Sequence, residues 1–129
     1  MSVNPVTEWI KKAEDNYQSA LALVRRRTHP VPDVVCNQCQ QCIEKYQKAL
    51  LARHGVTFMK THDLVQLEDL IATVDPDIRL IHAHLLHLNP YGIDIRYPGA
   101  DATPADARNA IAAMKVARKL LRSKLGLKP

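Results

Sequence analysis

All three cysteines of the chain fall in the stretch CNQCQQC, where Cys36, Cys39 and Cys42 are each separated by two residues. This spacing matches the first three ligands of the bacterial iron-sulfur run, whose fourth cysteine lies four positions further on. Tyr46 occupies that fourth position. The stretch has no glycine or proline to form a loop, and on a continuous helix Cys36 and Cys42 point about 120° apart. A cluster site is therefore disfavoured.

Other cysteine chemistry also lacks its partners in this sequence. A zinc site would need ligands from distant helices, because no second C-x2-C pair is present. A thioredoxin-type motif would need a strand-and-helix context that the sequence does not provide. Cysteine also serves as a small buried hydrophobe. We predict that the cysteines pack in a helical core and that the chain carries no metal and no cofactor.

Arg79 and His84 form an R-x4-H pair in a segment that also contains His82 and His87. A ribonuclease could use such a pair, with histidine as general acid or base and arginine stabilising the developing phosphorane charge. On one regular helix, residues five apart point about 140° apart and would not share a face, although a site could still form across a dimer. The alternative is that these histidines lie on the surface of the bundle or in an interface.

The segment LNPYGIDIRYPGADAT, residues 88–103, predicts the one long loop of the chain. Its candidate ligand-binding residues are Asn89, Tyr91, Arg96 and Tyr97. Arginine offers a planar fork for phosphate, and tyrosine offers a stacking face for a base. The alternative is a structural brace, in which Arg96 pairs with Asp94 or covers helix ends and Tyr97 enters the core.

The formal net charge is +5, and the excess of positive charge comes largely from Arg25-Arg26-Arg27 and the C-terminal tail. Both clusters are expected at helix ends, where cations complement the negative end of the helix dipole. A phosphate-bearing partner is the other interpretation.

Capping residues, prolines and glycines divide the chain into five amphipathic segments. The first predicted helix begins after Asn4-Pro5, and the second runs from Asp33 to Gly55. The third begins at Thr61 or Asp63 and ends at Asp75-Pro76, and the fourth runs from Asp77 to about His87. The fifth begins at Thr103-Pro104, where Asp106 completes a capping box, and ends at Gly126.

The fold class is predicted to be all-α: an up-and-down four-helix bundle with an additional short helix, built as one domain over residues 1–129. The polar start MSVNP does not resemble a signal peptide, and no apolar run approaches the length of a membrane span. We therefore expect a cytoplasmic protein, with reduced thiols and no membrane association.

In their order and spacing, these features resemble the HEPN domain over nearly the whole chain. The second segment is similar to the family pattern AQQAAEKALKAL, in which alanine stands where this chain has Cys39 and Cys42. The residues that carry the resemblance are Trp9, Ala13 and Asp15; Cys39-Gln40-Gln41-Cys42-Ile43-Glu44-Lys45; Lys48-Ala49-Leu50; Thr61-His62-Asp63-Leu64; and Leu88-Asn89, Tyr91 and Arg96-Tyr97-Pro98.

The resemblance implies a bundle of four or five helices, commonly a homodimer, often encoded beside a minimal nucleotidyltransferase. One group of the family consists of metal-independent ribonucleases, many of them toxins, with R-x4-6-H and usually a polar residue after the arginine. The other group lacks that motif and is thought to bind nucleotides or partners. Here Arg79 is followed by Leu80, Arg96 has no histidine four to six positions later, and His84 has no tyrosine two residues on.

The resemblance thus favours a nucleotide-binding or accessory protein that acts with a separate minimal nucleotidyltransferase in a module of toxin-antitoxin type. Two alternatives stay open: a metal-independent ribonuclease toxin with Arg79 and His84 as catalytic residues, acting on RNA, and a noncatalytic helical adaptor. We expect Glu44 and Lys45 on a solvated flank, and His62 beside free amides at the start of the third helix. The expected ligand-binding residues are Lys45, His62, Asn89, Tyr91, Arg96 and Tyr97.

Overall fold

The computed structural model describes residues 4–92 and 101–129. In these ranges the chain forms five α-helices, two 3-10 helices and no strand, so the predicted all-α fold is confirmed. The α-helices are α1 Pro5–Val24, α2 Pro32–Arg53, α3 Leu64–Ala72, α4 His82–Leu88 and α5 Pro104–Lys124, and the 3-10 helices are Pro76–Ile81 and Asn89–Gly92. None of the helices in the described ranges is both long enough and apolar enough to cross a bilayer.

Side-chain caps start most of the helices where the sequence predicts. The side chain of Asn4 accepts a hydrogen bond from the backbone amide of Val6 at 3.0 Å, and Thr103 and Asp106 form the expected capping box. Asp33 is not the cap of α2, because Pro32 already occupies the first helical position, where its missing N–H costs nothing.

The predicted fourth helix is divided into two parts. Pro76–Ile81 winds as a 3-10 helix, and a regular α-helix begins only at His82. The segment after Leu88 is also more regular than a loop, because Asn89–Gly92 forms a further 3-10 turn. Residues 93–100 of the predicted loop lie outside the described part of the chain.

Helix α2 lies at the centre of the bundle and contacts each of the other four α-helices. Its three cysteines are free and fully buried, as the sequence predicts. Burial raises the pKa of the Cys39 thiol to about 12, with a smaller contribution from Cys36. The cysteines therefore fill the space between helices as neutral, unreactive side chains.

Candidate functional site

A row of polar side chains runs along α2 inside the bundle. Gln40 and Gln47 are fully buried, and Glu44 and Lys48 keep only 2% and 5% of their surface exposed. The expectation that Glu44 lies on a solvated flank is therefore wrong. The interval of four residues from Gln40 to Glu44 to Lys48 keeps these side chains on one face of the helix, and that face is covered.

Glu44 connects this buried row to the surface. Its Oε2 lies 3.0 Å from Lys48 Nζ, and its Oε1 lies 2.9 Å from His62 Nδ1. The side chain of His62 is 62% exposed. Because a carboxylate oxygen accepts hydrogen bonds, this contact assigns the imidazole proton to Nδ1. The ring is thereby fixed with Nε2 as its remaining polar atom, free to accept from or, when protonated, donate to a ligand.

A chain of hydrogen bonds continues from His62 along α2. Gln40 Nε2 donates to the backbone oxygen of His62 at 2.8 Å, and Gln41 Nε2 donates to Gln40 Oε1 at 2.9 Å. Lys45 Nζ then donates to Gln41 Oε1 at 3.1 Å and to Asn16 Oδ1 at 3.0 Å. Lys45 is therefore held in place by neutral oxygen acceptors.

Lys45 is partly buried. Burial lowers its pKa below the ordinary value, and the charges of Lys12 and Lys48 lower it further, although the charge of Glu44 acts in the opposite direction. An anion in contact with the ammonium group would raise the pKa of Lys45 again, because it would stabilise the positive charge that burial disfavours.

The N-terminus of α3 is closed by two side chains. Asp63 Oδ1 accepts from the amides of Val65 and Gln66, at 2.9 and 3.2 Å. Asn89 Oδ1 accepts from the amide of Leu64 at 2.8 Å, and Asn89 Nδ2 donates to Asp63 Oδ1 at 3.0 Å. The expectation of free amides at this helix start is therefore wrong, because these donors already have protein partners.

An open cleft of about 630 Å³ lies beside this helix start. Leu86 gives it an apolar side, and His62 gives it the exposed imidazole. We call it the His62 cleft. Its lining residues are Thr61, His62, Asp63, Leu86, Asn89 and Pro90.

The 3-10 turn that follows α4 is seated on α2. Asn37 Nδ2 donates to the backbone oxygen of Tyr91 at 2.9 Å, and the ring of Tyr91 meets that of His87 at 6.5 Å between centroids. A Cβ at Gly92 would overlap Gln40 Nε2, so the amide end of Gln40 would have to move. The turn thereby links α4 to the polar row of α2.

Arg79 and His84 are directed to different surroundings. Arg79 Nη1 lies 3.0 Å from Glu68 and 2.8 Å from Asp69, and His82 Nδ1 lies 2.7 Å from Glu68 Oε1. His84 is two residues beyond His82 on α4, which turns it to roughly the opposite side of that helix. No hydrogen bond or ion pair joins Arg79 to His84 in the described part of the chain.

The family model for the HEPN domain matches residues 6–125, which is nearly the whole chain. The chain belongs to the HEPN family. The predicted resemblance to this family is confirmed.

Two solved structures share the HEPN fold of this chain. One is the protein TT1696 from Thermus thermophilus, with a TM-score of 0.73 and 21% sequence identity, covering 95% of this chain and 99% of its own. The other is described as an archaeal HEPN homologue, with a TM-score of 0.70 and 24% identity, covering 92% of this chain and 96% of its own. None of the curated proteins compared with the chain matches it significantly.

Sequence reasoning missed one polar cluster of this HEPN domain. Glu68 is fully buried and accepts from both Arg79 and His82. A signal for it was present, because Glu68 follows the buried Leu64 at an interval of four and precedes the buried Ile71 at an interval of three. A carboxylate on the apolar face of a helix needs cationic partners, and the nearby R-x2-H of Arg79 and His82 provides them.

The HEPN site residues predicted from the sequence are only partly brought together. His62 and Asn89 line one cleft, but Asn89 serves to close α3. Lys45 belongs to the same hydrogen-bonded row without lining the cleft. Arg96 and Tyr97 lie outside the described residues.

Proposed function

We propose that this HEPN protein is a cytoplasmic accessory subunit that binds a nucleotide in the His62 cleft. It acts with a separate minimal nucleotidyltransferase in a module of toxin-antitoxin type. The observation that carries the proposal is the exposed imidazole of His62, oriented by the buried carboxylate of Glu44 at the edge of a cleft. Buried charge that fixes one exposed polar group is the arrangement expected of a binding site.

The dimensions and lining of the cleft fit a nucleotide. Its volume of about 630 Å³ is within the range of about 300 to 1,000 Å³ that is usual for small-molecule sites. Leu86 and Pro90 offer apolar surface for a base. The Nε2 of His62 offers a donor to phosphate when the ring is protonated. Arg96 and Tyr97 are proposed as the further phosphate and base contacts on the strength of the sequence.

The surroundings of Arg79 support an accessory role over ribonuclease activity. Two carboxylates, those of Glu68 and Asp69, already neutralise its guanidinium group. A catalytic arginine must direct uncompensated positive charge toward the developing phosphorane. His84 is turned away from this cluster, so the R-x4-H pair gains no support within one protomer.

Calorimetric titration with ATP, with and without the nucleotidyltransferase, tests the proposal. We expect His62→Ala to weaken nucleotide binding about tenfold, as loss of a charge-assisted hydrogen bond does, and Arg96→Ala to weaken it as well. The matched control is His54→Ala, an exposed histidine at the end of α2. Absence of binding at millimolar nucleotide, with or without the partner, would contradict the proposal. Metal-free RNA cleavage that His84→Ala abolishes would identify a ribonuclease instead.

We also propose that the protein is a homodimer. Leu80 is 75% exposed and Val116 49% exposed, and both line one open groove between the first 3-10 helix and α5. Light scattering should show that Leu80→Glu converts dimer to monomer. Met59→Glu, at an even more exposed apolar residue, is the control and should leave the mass unchanged. A wild-type monomer at all concentrations would overturn this proposal.

A further inference from the structure

A second cavity, of about 290 Å³, lies where the end of α1, the connection to α2 and the first turns of α2 and α5 meet. Eight of its ten lining residues are apolar, among them Val24, Val35 and Ala107. The other two are Arg26 and Arg108. We call it the α1–α2–α5 pocket. It shares no lining residue with the His62 cleft.

Prolines restrict the backbone in the wall of this pocket. Three of its residues are prolines, Pro30, Pro32 and Pro104, whose rings fix the backbone angle φ. The connection before them turns at His29, whose φ of 51° is rare for a residue other than glycine. A backbone that is already restricted loses little conformational entropy when a ligand binds, which favours binding.

The charge at this pocket is one-sided. Arg26 and Arg108 are exposed, and neither guanidinium group has an ion pair with another described residue. No acidic residue is among those that line the pocket. The carboxylates of the same helix starts, Asp33 and Asp106, accept hydrogen bonds from backbone amides at 2.8 Å. The charged residues in the lining itself are thus both arginines, which favours an anionic ligand.

We propose that the α1–α2–α5 pocket binds a small organic anion, a carboxylate with an aliphatic or compact aromatic body. The apolar body packs against Val24, Val35 and Ala107, and the carboxylate is held between Arg26 and Arg108, whose planar forks suit that group. The volume is just below the usual range for ligand sites, which limits the ligand to roughly ten non-hydrogen atoms. The apolar lining distinguishes such a ligand from the backbone phosphates of a nucleic acid, which carry no apolar body.

Titration with a series of eight-carbon ligands tests this proposal. Octanoate, 1-octanol and octylammonium each have eight carbon atoms and an unbranched apolar chain, and they differ in charge. Methyl NMR spectra of the full chain should show saturable shifts at Val24, Val35 and Ala107. Octanoate should bind most tightly and octylammonium most weakly, with the difference between them shrinking as salt is added.

Charge variants separate specific recognition from general attraction to a basic protein. Arg26→Gln and Arg108→Gln should each weaken octanoate binding about fivefold, while leaving the binding of 1-octanol unchanged. The matched control is Lys115→Gln, which removes the same charge from an exposed position on α5 outside the pocket. Val24→Phe fills the cavity from a half-buried position and should abolish binding of all three ligands.

Three results would overturn the proposal. One is equal binding of octanoate and 1-octanol, which would show that the arginines recognise nothing. Another is an equal loss in Lys115→Gln, which would show that only net charge matters. The third is an absence of saturable shifts at the pocket methyls at ten-millimolar ligand. Because both arginines are exposed, their variants fold and remain informative even where Val24→Phe does not.

Discussion

The carboxylate of Glu14 on α1 accepts two hydrogen bonds from the guanidinium group of Arg118 on α5, at 2.6 and 3.1 Å. The hydroxyl of Tyr46 on α2 donates to the same carboxylate. Arg118 also stacks on the ring of Tyr17, 3.8 Å from its centroid. Three helices that are distant in sequence are thereby joined by one partly buried carboxylate.

Removing the arginine of this cluster should destabilise the fold. Arg118→Met leaves Glu14 without its strongest partner, and we expect the free energy of unfolding to fall by about 2 kcal/mol. Urea denaturation at pH 7 measures it. Arg108→Met, an exposed arginine on the same helix without an ion pair to the described residues, should change stability by less than about 0.5 kcal/mol. Equal effects of the two substitutions would mean that the Glu14 contact contributes nothing.

The same cluster makes stability depend on acidity. Burial raises the pKa of Glu14, but the hydrogen bonds from Arg118 and Tyr46 and the arginine charges outweigh it, so the folded pKa lies below the ordinary 4.5. The ionised Glu14 therefore contributes its full stabilisation of the fold above pH 4.5. That stabilisation is lost as the pH falls through the lower pKa of the folded state. The difference in stability between wild type and Glu14→Gln should shrink below pH 4.5. A difference that stays constant from pH 7 to pH 3 would contradict this cause.

At alkaline pH, Tyr46 makes stability fall as the pH rises. Burial, with help from Glu14, raises its pKa from 10 to about 12, so the folded state retains the phenolic proton more strongly than the unfolded chain. Its contribution is present below pH 10 and is lost between pH 10 and about pH 12. Tyr46→Phe cannot ionise and should lack this part of the alkaline decline. Parallel unfolding curves for the two proteins across that interval would refute it.

The thiols should be chemically silent in the folded protein. The cysteines are fully buried, and burial holds the pKa values of Cys39 and Cys42 above the ordinary value. At pH 8 a disulfide reagent should therefore titrate no thiol in the native protein and three in guanidinium chloride. Elemental analysis of the purified protein supplies the control for bound iron or zinc. A thiol that reacts quickly without denaturant would show that α2 opens locally.

A side chain at position 92 should destabilise the fold while Gln40 is present. A methyl group there would overlap the amide end of Gln40, which is buried and bonded to the backbone of His62. We expect Gly92→Ala to lower the free energy of unfolding by about 1 to 3 kcal/mol, as overpacking does. In a Gln40→Ala background the same change should cost less, which a double-mutant cycle measures. Additive effects would place the strain elsewhere.

The sequence predicted the helices well because their signals are local. The caps Asn4, Thr103 and Asp106 are found, as is the left-handed stop at Gly55. Gly126, predicted to end the last helix, also has a positive φ. The site was harder, because its burial depends on which helices meet. From sequence alone, a charged residue beside an apolar stripe is predicted to face solvent. Its burial depends on a second element that covers it, and for Glu44 that element is the segment carrying His62.

The start of α3 shows the same limit from another side. Local sequence offered Thr61 or Asp63 as its cap, and Asp63 is the one found. The second capping group is Asn89, which comes from a turn 26 residues away. Nothing local to either residue reports that contact. Anion binding by backbone amides can be predicted from sequence only when every side chain able to reach those amides is known.

The central position of α2 has a consequence for how the molecule unfolds. The other four α-helices all contact it, and even its polar residues are used in internal contacts. No helix can detach without exposing part of α2 to water, so partial opening is penalised almost wherever it begins. The contacts of this one helix therefore make unfolding cooperative, and thermal unfolding should proceed as a single all-or-none transition.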